Sequence, residues 1–102
     1  MKVSELISRY QAGQRDFRNL NLMAVNFRNL NLSGANFSGA NLTKANLTNT
    51  NLSQVDLSDA ILTDANLTAT KLTKANLTNA NLRNVDLGKT DLRGAILVGI
   101  VQ

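Results

Sequence analysis

The sequence predicts an all-β solenoid closed at its N-terminal end by a short α-helix. Two observations carry this: an apolar residue recurs at every fifth position over most of the chain, and the first segment departs from that beat with helical spacing. A third is what the composition omits. The 102 residues include no Cys, His, Pro or Trp, three Phe and one Tyr, so a core must be built from aliphatic side chains. Without Cys or His there is no disulfide, no thiolate metal site, no Cys nucleophile and no imidazole base.

From Phe17 onward every fifth residue is Leu or Phe: Phe17, Leu22, Phe27, Leu32, Phe37, Leu42, and so on without a break to Leu97. Two residues before each comes a mostly small or β-branched residue, as in Ala35, Ala40, Ala45, Thr50 and Val55. One residue before, Asn or Asp stands in 14 of the 17 repeats, and one residue after, Ser or Thr runs unbroken from Ser33 to Thr78. The unit therefore reads Ala-(Asn/Asp)-Leu-(Ser/Thr)-x.

A period of five fits no ordinary element. On an α-helix five residues advance about 500°, which scatters the leucines around the surface. On a flat strand five is odd, so successive leucines would alternate faces. A heptad coiled coil fails likewise. The chain must instead turn once per pentapeptide, so that every leucine meets a common axis. Within a unit, Ala and Leu are two apart and point to one side of a short extended stretch, while the Asn/Asp between them faces out. The Ser/Thr-x pair makes the corner, and short polar side chains that bond nearby backbone replace proline there.

Runs such as Ala40-Asn41-Leu42-Thr43-Lys44-Ala45-Asn46-Leu47 resemble the pentapeptide-repeat family, whose motif is A(D/N)LXX, over Arg15 to Gly99. The resemblance implies a right-handed quadrilateral β-helix with four pentapeptides per coil, here about four coils. Ile61, Lys71 and Ile96 depart from the motif at the Asn/Asp position, and Arg15 and Leu20 at the small one. At roughly 4.8 Å between paired chain segments, the coils make a rod on the order of 20 Å long.

Residues 1–14 stand outside the beat. Val3, Leu6, Ile7 and Tyr10 follow i, i+3, i+4, i+7 spacing, and Gly13 lies where a helix would stop. This reads as a capping helix resting on the bulky first coil, where Phe17, Leu20, Val25, Phe27 and Leu30 cluster. A membrane-surface helix is the weaker reading, since only Lys2 and Arg9 are basic. Residues 15–99 form the β-helix and 100–102 a tail. The segment from Ala95 to Gln102 is the most hydrophobic in the chain, and solenoid ends need a cap or a partner. Ile96, Leu97, Val98, Ile100 and Val101 are therefore the candidate self-association residues, and a homodimer through the C-terminal coil is expected. The resemblance points the same way, because several family members pair through their C-terminal ends.

Three tempting signals have plainer explanations. Asn31, Asn36, Asn41, Asn46, Asn51, Asn66 and Asn76 form Asn-x-Ser/Thr triplets, but the repeat itself generates them. Asp56 and Asp59 both face water, which makes them a poor acid–base pair. The net charge of +4 does not make a stripe when residues 20 apart are stacked. Lys71 then lies against Asp91 as a neutralising pair, with Lys74 and Arg93 on their face. Arg28, Asp86 and Lys89 share another face, and Lys44, Asp64 and Arg83 a third. Nucleic-acid readers concentrate basic charge and add stacking aromatics, so nucleic-acid binding is disfavoured.

The function expected is a non-enzymatic structural or protein-interaction module, a rigid solenoid presenting polar ladders to a protein partner. No catalytic residue, cofactor or metal is expected. The alternative drawn from the resemblance is a DNA mimic that binds a topoisomerase, which the positive net charge disfavours. The N-terminus lacks the apolar run of a signal peptide, so the expected location is cytoplasmic.

Overall fold

A computed structural model describes all 102 residues. One helix, α1 (Val3–Gln11), precedes the coils. Its apolar face turns Leu6 into complete burial and brings Val3 and Tyr10 onto the core. Glu5 and Arg9 pair on the opposite side at 2.7 Å, and as an exposed i,i+4 pair they contribute about 0.3–0.5 kcal/mol. The helix ends where Gly13 takes φ +102°. The Gly13 N–H donates to Tyr10 O at 3.0 Å and the Gln14 N–H to Arg9 O at 2.9 Å, the two bonds of a Schellman ending. No helix is long and apolar enough to cross a membrane.

From Asp16 onward the chain winds in coils of twenty residues. Parallel bridges join the outward residues to those twenty further on, Asn66 and Asp86 excepted, as in Asp16 to Asn36, Asn36 to Asp56 and Asp56 to Asn76. Four pentapeptides thus complete a turn, giving four side walls. The first runs through Asn36 and Asn76, the second through Asn41 and Asn81, the third through Asn46 and Asn66, and the fourth through Asn51 and Lys71. Each side is too short for a continuous strand, so the ladder consists of single rungs. A rung is held by three backbone bonds, as between Asn41 and Ile61: Ile61 N–H to Ala40 O at 3.0 Å, Leu42 N–H to Ile61 O at 2.7 Å and Lys44 N–H to Thr63 O at 2.9 Å.

The corners explain the remaining sequence rules. From the second pentapeptide on, each is a β-turn closed from the small position back to the Leu or Phe, as from Ala65 N–H to Leu62 O at 2.9 Å. Its third residue has left-handed φ: Asn19, Asn29, Asn49, Asn79 and Asn84, which tolerate that region better than most residues, share the position with glycines, with Asp59 and Asp64, and with Ala24, Lys44, Gln54, Ala69 and Lys74. The outward Asn or Asp then accepts the N–H two residues on, at 2.9 Å from Ser38 to Asn36 and 3.0 Å from Thr68 to Asn66. Asp serves equally, since only an oxygen is needed, as in the 2.9 Å bond from Ser58 N–H to Asp56.

Leu and Phe of the series are buried from Phe17 through Leu82, with Ala35, Ala40, Ala45, Val55, Ala60, Ala65, Ala75 and Ala80 filling the positions between. In the coils nearest α1 the core is aromatic: Phe37 stacks on Phe17 at 5.6 Å and tilts against Phe27 at 6.0 Å. Thr50 and Thr70 also point inward, each 1% exposed. Their hydroxyls donate one coil back, to Phe27 O at 2.7 Å and Leu47 O at 2.6 Å, so neither buried oxygen lacks a partner.

Candidate interaction surface

The two ends of the rod differ. At the N-terminal end α1 covers the axis, and the Tyr10 hydroxyl donates to Ser33 O at 2.7 Å, pinning the helix to the first coil. Arg15 lies over the Tyr10 ring at 3.7 Å and donates to the carbonyls of Tyr10 and Gln14. At the C-terminal end none of the 102 residues covers the last coil. Leu87 and Leu92 are only partly buried and Leu97 is 37% exposed, although all three occupy the inward position that is sealed in every earlier coil. The N–H groups of Leu87, Leu92 and Leu97 and the carbonyls of Val85, Thr90 and Ala95 make no backbone bond, so the apolar floor is ringed by open donors and acceptors.

The five residues singled out from the sequence do not form one patch. Leu97 and half-buried Ile100 belong to the open end by their inward register. Ile96 bridges to Asn76 on the first wall, and with Val98 beside it makes a lateral apolar strip, 49% and 69% exposed. Val101 bridges to Asn81 on the second wall. The hydrophobicity of the terminal segment is therefore divided between an end and two sides.

The charges also settle differently from the stacking scheme. Lys71 and Asp91 are neighbours on one wall, yet the partner of Asp91 is Arg93, at 2.9 and 2.7 Å to its two carboxylate oxygens. Residues two apart on an extended segment lean to the same side, and the guanidinium fork spans both oxygens. Hydrogen bonds from the Arg93 side chain and backbone hold the Asp91 carboxyl at about 2, with the Lys71 charge a lesser contribution. The same arrangement recurs at Asp16 and Arg18, where the Arg18 side-chain hydrogen bond likewise lowers the carboxyl. An Asp-(Leu/Phe)-Arg triplet was the signal for both pairs. Arg28, Lys44, Lys71, Lys74, Arg83 and Lys89 form no ion pair and are spread over the second, third and fourth walls.

No cluster of three or more His, Cys, Asp or Glu side chains is placed to hold a metal ion. Asp56 is occupied structurally, accepting both the N–H and the hydroxyl of Ser58. The one cleft, about 250 Å³ between α1 and the fourth wall, is lined by Ile7, Tyr10, Gln11, Leu30, Asn31 and Leu32 and is smaller than ordinary ligand pockets.

The family profile described as pentapeptide repeats (8 copies) matches residues 21–59 and 60–99, most of the chain. The chain is a pentapeptide repeat protein. Among solved structures it is similar to a pentapeptide repeat protein from the cyanobacterium Cyanothece 51142, at 26% identity and TM-score 0.76 over 96% of this chain and 93% of that one. A pentapeptide repeat protein of the Arabidopsis thaliana thylakoid lumen matches at 34% identity and TM-score 0.51, over 79% of this chain and 57% of that one. One from Nostoc Pcc 7120 matches at 33% identity and TM-score 0.49, over 92% and 74%. No curated protein matches the sequence. In this pentapeptide repeat protein the rod is regular and the departures gather at its C-terminal end, which makes that end the candidate site.

Proposed function

We propose that this protein is a non-enzymatic interaction module whose open C-terminal coil binds protein, with a second copy of the chain as its first partner. The observation that carries this is the exposed Leu97 at an inward position, within a ring of unpaired backbone groups. Two such ends meeting across a two-fold axis bury the apolar floor and let the open edges pair. The rod's cross-section of 24 by 22 Å gives about 500 Å² per end, so a dimer buries about 1,000 Å², the lower limit of a stable interface. Association is therefore expected to be weak and concentration-dependent.

Light scattering from micromolar to millimolar protein tests the reading. End-to-end pairing predicts a dimer lost in Leu97→Asp but kept in Val98→Asp, because Val98 lies on the side wall; melts of both variants check their folding. A chain that is monomeric throughout, or a dimer lost only in Val98→Asp, overturns it. The side walls, with their Asn, Ser and Thr ladders, remain available to further protein partners in the pair.

A further inference from the structure

One corner of the solenoid breaks the rule that the others obey. Sixteen of the seventeen pentapeptides place their corner residue at φ between +55° and +72°; the exception is Lys89. Lysine is not the cause, since Lys44 and Lys74 adopt the left-handed conformation in their own corners. The residue before it differs from its equivalents. Gly88 is the only glycine directly after a Leu or Phe of the series, the position that Ser or Thr usually takes; its own φ is not left-handed, but it brings no side chain to restrict the corner.

The ladder fails beside that corner. On the third wall Leu47 N–H reaches Asn66 O at 2.9 Å, but one coil later Leu67 N–H has no acceptor although its side chain is buried. Asp86 N–H does not reach Ala65 O, and the bridge between Asn66 and Asp86 that the twenty-residue register calls for is absent. Ala69 N–H bonds to Lys89 O at 2.8 Å, twenty residues on, whereas Asn49 bonds to Thr68 O nineteen on. Below this point the register recovers: Leu72, Leu77 and Leu82 donate to Asp91, Ile96 and Val101. The last coil is thus attached by bridges along the first, second and fourth walls, and at the third only by Ala69 N–H to Lys89 O and by the Thr90 hydroxyl to Leu67 O at 2.9 Å.

We propose that residues 83–102 form a locally opening unit, parted from the rod at the seam over residues 86–90, and that Gly88 sets how readily it opens. A coil missing one wall of rungs has fewer bonds to break before it swings away, while the coils beneath keep all of theirs. The unit carries Ile96, Leu97, Val98 and Val101, most of the large apolar side chains exposed on the molecule. Opening therefore remodels the apolar C-terminal surface without unfolding the rod. This does not depend on self-association and is measurable on the dilute monomer.

Amide hydrogen exchange followed by NMR at low concentration tests it. The N–H groups of Ala69, Leu72, Leu77 and Leu82 all donate into the last coil, and Asn49, Leu52, Leu57 and Leu62 are their equivalents one coil earlier. The first set is expected to exchange together, roughly a hundredfold faster than the second. Gly88→Ser should slow the first set by roughly tenfold and leave the second unchanged, because it returns a side chain to the corner. The added Cβ meets only the Asp86 carboxylate, at 3.1 Å, which accepts the Gly88 N–H at 2.8 Å, the same capping bond that Asp56 makes beside the side chain of Ser58. Gly88→Ala, lacking the hydroxyl, should act in the same direction and separates backbone restriction from side-chain bonding. Equal exchange in the two sets, or Gly88→Ser and Gly88→Ala proteins that stay folded with exchange unaltered, overturns the proposal.

Discussion

At the scale of single residues, the regularity of this chain is a regularity of hydrogen bonds. The outward Asn or Asp caps the corner that follows it, and the left-handed third residue lets the corner close. The outward Asn or Asp was legible in the sequence, because it recurs at a fixed place in 14 of the 17 repeats, whereas the left-handed residue was not, since its position holds Asn, Gly, Lys, Ala, Gln or Asp. Nor were the inward threonines. Thr50 and Thr70 stand at the small position, where Ala and Val also stand, and nothing in the pentapeptide tells a satisfied buried hydroxyl from a methyl group. Only the carbonyl of the preceding coil, 23 residues away, gives the hydroxyl its partner. Thr70→Val keeps the volume and removes that donor, so it should lower the unfolding free energy by about 1 kcal/mol in a urea titration. An unchanged midpoint would show that the bond contributes nothing net.

At the scale of elements, α1 and the last coil are opposite solutions to one problem, the open end of a stack. The helix was readable from four apolar residues and a glycine, and its expected place on the first coil from the bulk of Phe17, Leu20, Val25, Phe27 and Leu30. The C-terminal end was read correctly as apolar but not as divided. A run of hydrophobic letters does not say which of them face the axis, and the five-residue register assigns Leu97 and Ile100 inward and the rest outward. The seam at Gly88 was also unread, since one glycine among otherwise regular repeats gives no sign until the missing rung is seen. If α1 is a lid, Leu6 is its keystone: it is completely buried within the core cluster. Leu6→Ala should cost about 2–4 kcal/mol and lower the thermal midpoint clearly. A variant with the parent's midpoint would mean that the helix lies on the rod without stabilising it.

For the whole molecule, the fold is a stack whose coils differ little until the last one, and stability in such a stack comes from neighbours. That makes the ends the places where something else can happen. The N-terminal end is covered by α1, with the Tyr10 hydroxyl fixing it to the first coil. The C-terminal end keeps both its apolar floor and its unpaired edge. The charges favour no single wall, and the Asp16–Arg18 and Asp91–Arg93 pairs neutralise locally what composition alone presents as excess. The proposed joining of these rods by their C-terminal ends is tested most directly by small-angle X-ray scattering over a concentration series, because the direction of growth identifies the surface used. The monomer measures 33 by 24 by 22 Å. End-to-end pairing predicts that the maximum dimension rises to about twice that of the monomer, while the cross-sectional radius stays constant. Growth in cross-section with little change in length, or scattering that never departs from the monomer, would contradict it.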